Sequence, residues 1–208
     1  MKRRTLPLPT LLLLGLVAAC GGQDASMDDM DMGESPAATP PATPAASPGG
    51  LSCSAEGPSH QSLAFNIGAS RALLCYGAPS VQGRDIRGAV AVNGQPWPLG
   101  ADEPTTLHLS GSANVGGIAL AQGTYSLYAV PSAGAWEIFI NTNWQRPALP
   151  IDAGVRATEA GSFSVTPQRT PEPVEQLRYE WEEAAGGDPG GELLMEWENI
   201  LLRIPIEA

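Results

Sequence analysis

Asp102 and Glu103 are the side chains whose type and spacing most invite chemistry. They are adjacent carboxylates, two residues after Gly100 and just before Thr105 and Thr106. Carboxylates and hydroxyls gathered on a loop can bind a hard cation or the hydroxyls of a sugar. The same residues also suit an ordinary turn, in which Gly100 takes an unusual φ and Asp102 bonds nearby backbone N–H groups. Trp97 opens the segment as a large amphipathic anchor that should pack inward while its N–H finds an acceptor. A buried carboxylate without a partner is costly, so Asp102 and Glu103 must face solvent, hold a ligand or meet an arginine. Arg84, which closes the motif Tyr76–Arg84, is the expected arginine, its planar fork suiting a carboxylate. The candidate polar site is therefore Arg84, Trp97, Asp102, Glu103 and Thr105.

Other chemistries find less material. His60 and His108 are the only histidines, and no G-x-S-x-G elbow accompanies them, so a serine hydrolase would have to assemble its triad in space. H-E-x-x-H, Walker and dinucleotide glycine patterns are absent. Residues 172–207 hold ten carboxylates against Arg178 and Arg203. They read as the solvated face of strands, with a glycosidase pair as the sharper alternative. Met27, Met30 and Met32 stand among Asp28, Asp29 and Asp31. Thioethers are soft ligands, so this cluster is the candidate site for Cu(I), the one cofactor that the sequence suggests. Cys53 and Cys75 are not spaced as C-x-x-C, and in an exported chain they are expected to form a disulfide.

Export is read from the first residues. Met1-Lys2-Arg3-Arg4 precedes the apolar run Leu11–Ala19, a basic n-region and an h-region too short to span a bilayer. Leu16-Val17-Ala18-Ala19-Cys20 resembles a bacterial lipobox. That resemblance implies cleavage after residue 19, diacylation of Cys20 and a membrane partner reached through lipid. Gly21 stands where an Asp would favour inner-membrane retention, so an outer membrane or cell surface is expected in a Gram-negative host. Residues 20–50, acidic and then rich in Pro, Ala and Thr, read as a disordered tether with too few large apolar groups to bury.

Charge narrows the partners. Without Lys2, Arg3 and Arg4 the chain has 8 basic residues against 22 acidic, a net charge of −14, and no lysine. Nucleic acid needs a cationic surface and is not an expected partner. Schiff-base and P-loop lysine chemistry are excluded.

Residues 51–208 are enough for one domain with a real core. Period-two alternation over Leu107–Leu109, Tyr125–Val130 and Trp136–Ile140 predicts strands. Asn93-Gly94, Gly116-Gly117, Gln122-Gly123 and Pro131–Gly134 supply the turns between them. Val174–Glu183 fits either a helix, through Leu177 and Trp181, or a strand that puts Leu177, Tyr179 and Trp181 on one face. The strand is chosen because both aromatics then join the apolar face. Leu193–Ile206 predicts one or two more strands. The expected fold is an all-β sandwich or jelly-roll-like domain.

Several ordered motifs then carry a resemblance. Tyr76–Arg84 resembles Y-x-x-P-x-x-x-G-R, and Trp97–Thr105 resembles W-R-x-G-A-N-E-x-T. Ala121–Leu127 is similar to a-G-x-Y-x-L, Val130-Pro131, Trp136 and Asn141 follow as i-P…W…i-x-N, and Glu196-Trp197-Glu198 contains a late W-E. Over roughly 60–206 the chain resembles the bacterial domain-of-unknown-function family 2911. The resemblance implies a compact all-β domain in exported proteins and no established reaction. Pro98 replaces the family's Arg and Asp102 its Asn, so this chain has one cation fewer and one carboxylate more at that loop. The functional reading is a membrane-anchored binding or interaction module for a small molecule, glycan or protein. The alternatives are a carboxylate- or metal-dependent hydrolase and a copper-handling lipoprotein.

Overall fold

The computed structural model describes residues 50–54 and 57–208. The lipobox with Cys20, the tether up to residue 49 and the cluster Met27, Met30 and Met32 lie outside the described residues. Among the described residues eleven strands form two antiparallel sheets. In chain order they are β1 (His60–Ile67), β2 (Ser70–Gly77), β3 (Thr105–Leu109), β4 (Ala113–Val115), β5 (Ile118–Leu120), β6 (Gly123–Val130), β7 (Trp136–Asn141), β8 (Glu159–Val165), β9 (Val174–Glu183), β10 (Gly190–Glu198) and β11 (Ile200–Glu207). One sheet has the order β1-β2-β3-β6-β7-β8 and the other β5-β4-β11-β10-β9. A single helical turn, α1 (Ala153–Arg156), sits in the long β7–β8 connection.

Alternation explains which residues face inward. Leu107 and Leu109 of β3, Leu127 and Ala129 of β6, and Trp136, Ile138 and Ile140 of β7 point into the space between the sheets. Leu193, Met195 and Trp197 of β10 with Leu202, Ile204 and Ile206 of β11 meet them from the other side. Trp97 lies between Trp197, stacked at 5.8 Å between centroids, and Trp136, nearly perpendicular at 6.1 Å. Such aromatic pairs add to the stabilisation from burial alone. Val174–Glu183 is a strand, with Leu177 and Tyr179 buried and Trp181 stacked on Phe65 of β1 at 4.4 Å. Gly116 and Gly117, both at positive φ, turn β4 into β5 as the sequence predicts.

The outer face of the six-stranded sheet is unusually polar. Thr106 and His108 of β3, Ser126 of β6 and Asn141 of β7 point away from the core yet are buried. On this face Tyr128, Phe139 and Ile151 form a second apolar cluster. Asn141 ties the β7–β8 connection to the sheet: its Nδ2 donates to Val155 O at 2.6 Å, and its Oδ1 accepts from Asn143 N and Thr158 Oγ1. Cys53 is disulfide-bonded to Cys75 of β2, with Cα atoms 5.8 Å apart, so the segment entering the domain is fastened beside the same face.

Candidate functional site

The loop between Trp97 and β3 is held by its backbone. Trp97 N and O bond Ala129 of β6, each at 2.8 Å. Leu99 O accepts from Tyr179 Oη at 2.8 Å and from Thr105 Oγ1 at 3.1 Å, while Ala101 N donates to Gly77 O at 3.2 Å. Leu99 is fully buried. Burial pushes the Tyr179 hydroxyl well above its ordinary pKa, so it remains a neutral donor. With Leu99, Thr105 and Trp97 drawn inward, Asp102 and Glu103 are left at the rim.

Their partners differ from the expected arginine. Ser59 Oγ donates to Asp102 Oδ2 at 2.5 Å, and His60 Nδ1 lies 2.6 Å from Glu103 Oε1. Both partners stand at the start of β1 or just before it. Arg84 is turned to its own loop instead, donating from Nε to Val81 O at 3.1 Å and from Nη2 to Ser80 O at 2.5 Å. Two neighbouring carbonyls hold the exposed guanidinium to its own loop, and solvent serves its other donors. The expected pairing of Arg84 with Asp102 or Glu103 is thus replaced by Ser59 and His60.

Two other details of the loop depart from expectation. Its positive φ angles fall on Leu99 (58°) and Asp102 (65°), not on Gly100. Gly100 is required for space, since a Cβ there would lie 2.8 Å from Gly77 O and 3.0 Å from Thr105 Oγ1. Trp97 is only 4 % exposed, but its Nε1 has no acceptor among the described residues.

Asp102 and Glu103 form one wall of a cleft of about 310 Å³. Pro104 and Thr106 continue that wall, and Trp144, Gln145, Arg146 and Pro147 from the β7–β8 connection form the other. Ser54, next to the disulfide, lies at the rim. Behind the cleft Thr106 Oγ1 is 3.2 Å from His108 Nε2, and His108 Nδ1 is 3.0 Å from Thr124 Oγ1. Burial lowers the His108 pKa, so the ring stays neutral and shares hydrogen bonds with two hydroxyls. Trp144 meets the His108 ring edge-on at 6.1 Å.

Arg146 is fixed by neutral oxygens. Nη1 donates to Pro147 O at 2.9 Å and Ala148 O at 3.1 Å, and Nη2 reaches Ser126 Oγ at 3.4 Å. Its Nε is buried with no acceptor among the described residues, and burial pulls its pKa below the usual guanidinium value. The sequence reading passed over Arg146 and Trp144. Their signal is Asn143-Trp144-Gln145-Arg146-Pro147, an aromatic beside one of the few arginines, directly after Asn141 of the family-like pattern.

Three larger clefts offer weaker chemistry, the smallest of them, of about 390 Å³, lined by Phe163, Gln168 and the already paired Glu192 and Arg203. One of about 600 Å³ is lined by Glu182, Glu183, Asp188 and Glu207, all of one charge. Another of about 660 Å³ contains Arg178 already engaged by Glu196 at 2.6 Å. Among the described residues no group of three or more His, Cys, Asp or Glu is placed to hold a metal ion. The remaining carboxylates of β9 and β10 face solvent or pair with arginine, as with Arg203 between Glu182 and Glu192 at 2.7 Å each.

No curated protein and no solved structure matches this chain. A family model does, over residues 58–206, which include both walls of the cleft apart from Ser54 at its rim. The chain belongs to the family described as Protein of unknown function (DUF2911).

Proposed function

We propose that this protein is a lipid-anchored binding module of the cell envelope, and that it holds a small polar ligand in the cleft between residues 102–106 and 144–147. The observation that carries this reading is the composition of that cleft. Two carboxylates, an amide, a guanidinium and an indole converge on about 310 Å³. That volume is at the small end of ligand pockets, roughly 300–1,000 Å³, and suits a metabolite more than a polymer. The polar groups of the sheet behind it are hydrogen-bonded, which favours a pre-formed site. The basic n-region, h-region and Cys20 support the anchor.

A hydrolase is less well supported. The His60–Glu103 contact resembles a base held by a carboxylate. However, Ser59 gives its proton to Asp102 and not to His60, and Thr106 and His108 are both buried. Neither histidine therefore faces an accessible nucleophile. The test is an NMR screen of ¹⁵N-labelled full chain in detergent against a library of small metabolites, including sugars and amino acids. Shifts confined to the Trp144 indole, the Gln145 amide and the Asp102–Thr106 backbone are expected for a ligand of this cleft. A library that leaves all of these signals in place overturns the proposal.

A further inference from the structure

The cleft brings opposite charges together without letting them pair. Arg146 and the carboxylates of Asp102 and Glu103 line one cavity, yet neither carboxylate comes within 4.0 Å of the guanidinium. Each group is held in place by a partner of its own. Asp102 takes the Ser59 hydroxyl and Glu103 the His60 ring. Arg146 takes Pro147 O, Ala148 O and Ser126 Oγ. Those contacts fix the positions but leave capacity. An ionised carboxylate offers about four acceptor sites and a guanidinium five N–H donors. Asp102 and Glu103 each use one side-chain contact. Arg146 uses three, and because its Nε is buried the second N–H of Nη2 is the donor left to offer. Among the described residues the half-buried cation has no counter-ion, which leaves part of its lost hydration unreplaced.

We infer that the ligand of this cleft is a zwitterion of the α-amino-acid class. Its ammonium group lies against Asp102 and Glu103, and its carboxylate lies toward Arg146. Pro104, Trp144 and Pro147 are the apolar part of the lining, so the side chain is apolar. Such a molecule carries a cation and an anion a few ångströms apart. It bridges the separated charges in a way that neither a pure anion nor a pure cation does. Charge-assisted hydrogen bonds at both ends are roughly twice as strong as neutral ones, so each end contributes to recognition. This inference rests on the binding reading above and narrows it.

The experiment uses the full chain in detergent, with calorimetric titration of four probes: leucine, N-acetyl-leucine, leucinamide and methyl glucoside. Leucine is expected to bind at least about tenfold more tightly than either half-blocked form, because each blocked form loses one charged contact. Asp102→Asn is expected to weaken leucine but leave N-acetyl-leucine unchanged. Arg146→Gln should weaken both and leave leucinamide unchanged. Arg146 also braces the 147–148 backbone, so that variant is checked by thermal melting, and the exposed Asp102 carries the test if it does not fold. Equal affinities for the three leucine forms overturn the inference, as does the absence of leucine binding. Glucoside binding without leucine binding overturns the zwitterion while sparing the binding module, whereas a cleft silent to the whole metabolite library removes both.

Discussion

An ideal Cβ on Gly100 would lie 2.8 Å from the carbonyl oxygen of Gly77, and one on Gly77 would lie 1.8 Å from that of Ala101. The obstacle in each case is backbone, which does not rotate away. Gly100→Ala is therefore expected to destabilise the domain by about 1–3 kcal/mol, the usual range for overpacking. Denaturant unfolding of the two proteins measures it, and an unchanged midpoint would show that the loop can shift. His108 provides a second test. Burial holds its folded pKa below the unfolded value of about 6.5, so the unfolded chain binds more protons as the medium is acidified. The His108 contribution is fully present above about pH 6.5 and is lost as pH falls through the folded value. Thermal melts from pH 7.5 to 5 should show a steeper loss for the wild type than for His108→Gln. Parallel curves would mean that the buried ring carries no such linkage.

At the level of elements, the segment before β1 and the β7–β8 connection both lie over the polar outer face. The first is fastened by the disulfide from Cys53 to Cys75, which is 1 % exposed and 22 positions along the chain. The second is fastened by Asn141 and by Arg156, which bonds Glu159 at 3.1 Å and lies over the Phe139 ring at 5.1 Å. Closing a loop of this length stabilises a fold by about 3 kcal/mol in the chain-entropy model. The double variant Cys53→Ala, Cys75→Ala should lose stability of that order while keeping the sheet, since alanine leaves no buried hydroxyl unsatisfied. Circular dichroism through a denaturant series checks it. A midpoint equal to that of the oxidised parent would show that the segment is held without the bond.

For the whole molecule, the proposed reading removes residues 1–19 and leaves a net charge of −14, so an anionic membrane surface would repel the domain. On that proposal, retention at a membrane would depend on acyl chains. The prediction is that Cys20→Ala moves the protein from the membrane fraction to the soluble fraction. Fractionation with a labelled fatty acid decides this: label retained by the cysteine variant would refute acylation at Cys20.

The sequence alone determined several of the strands, because alternation is a local consequence of the pleat. Leu107–Leu109, Tyr125–Val130, Trp136–Ile140 and Val174–Glu183 all had to place apolar side chains on one face. It also fixed the family, through glycines, tryptophans and turn residues set at characteristic spacings, and it fixed the cysteine pair. The carboxylates of the site were legible because two charges beside a glycine-containing loop are costly to bury. Their partners were not. Ser59 and His60 lie 43 residues before Asp102 and Glu103, and Arg146 lies 20 residues beyond the Ser126 that it meets. Only the pairing of β1 with β2, and of β3 with β6 and β6 with β7, sets those side chains at one end of one sheet. Arg84 had the right chemistry for the carboxylates, but nearer carbonyls claimed it, and that competition is decided by distance in the folded chain.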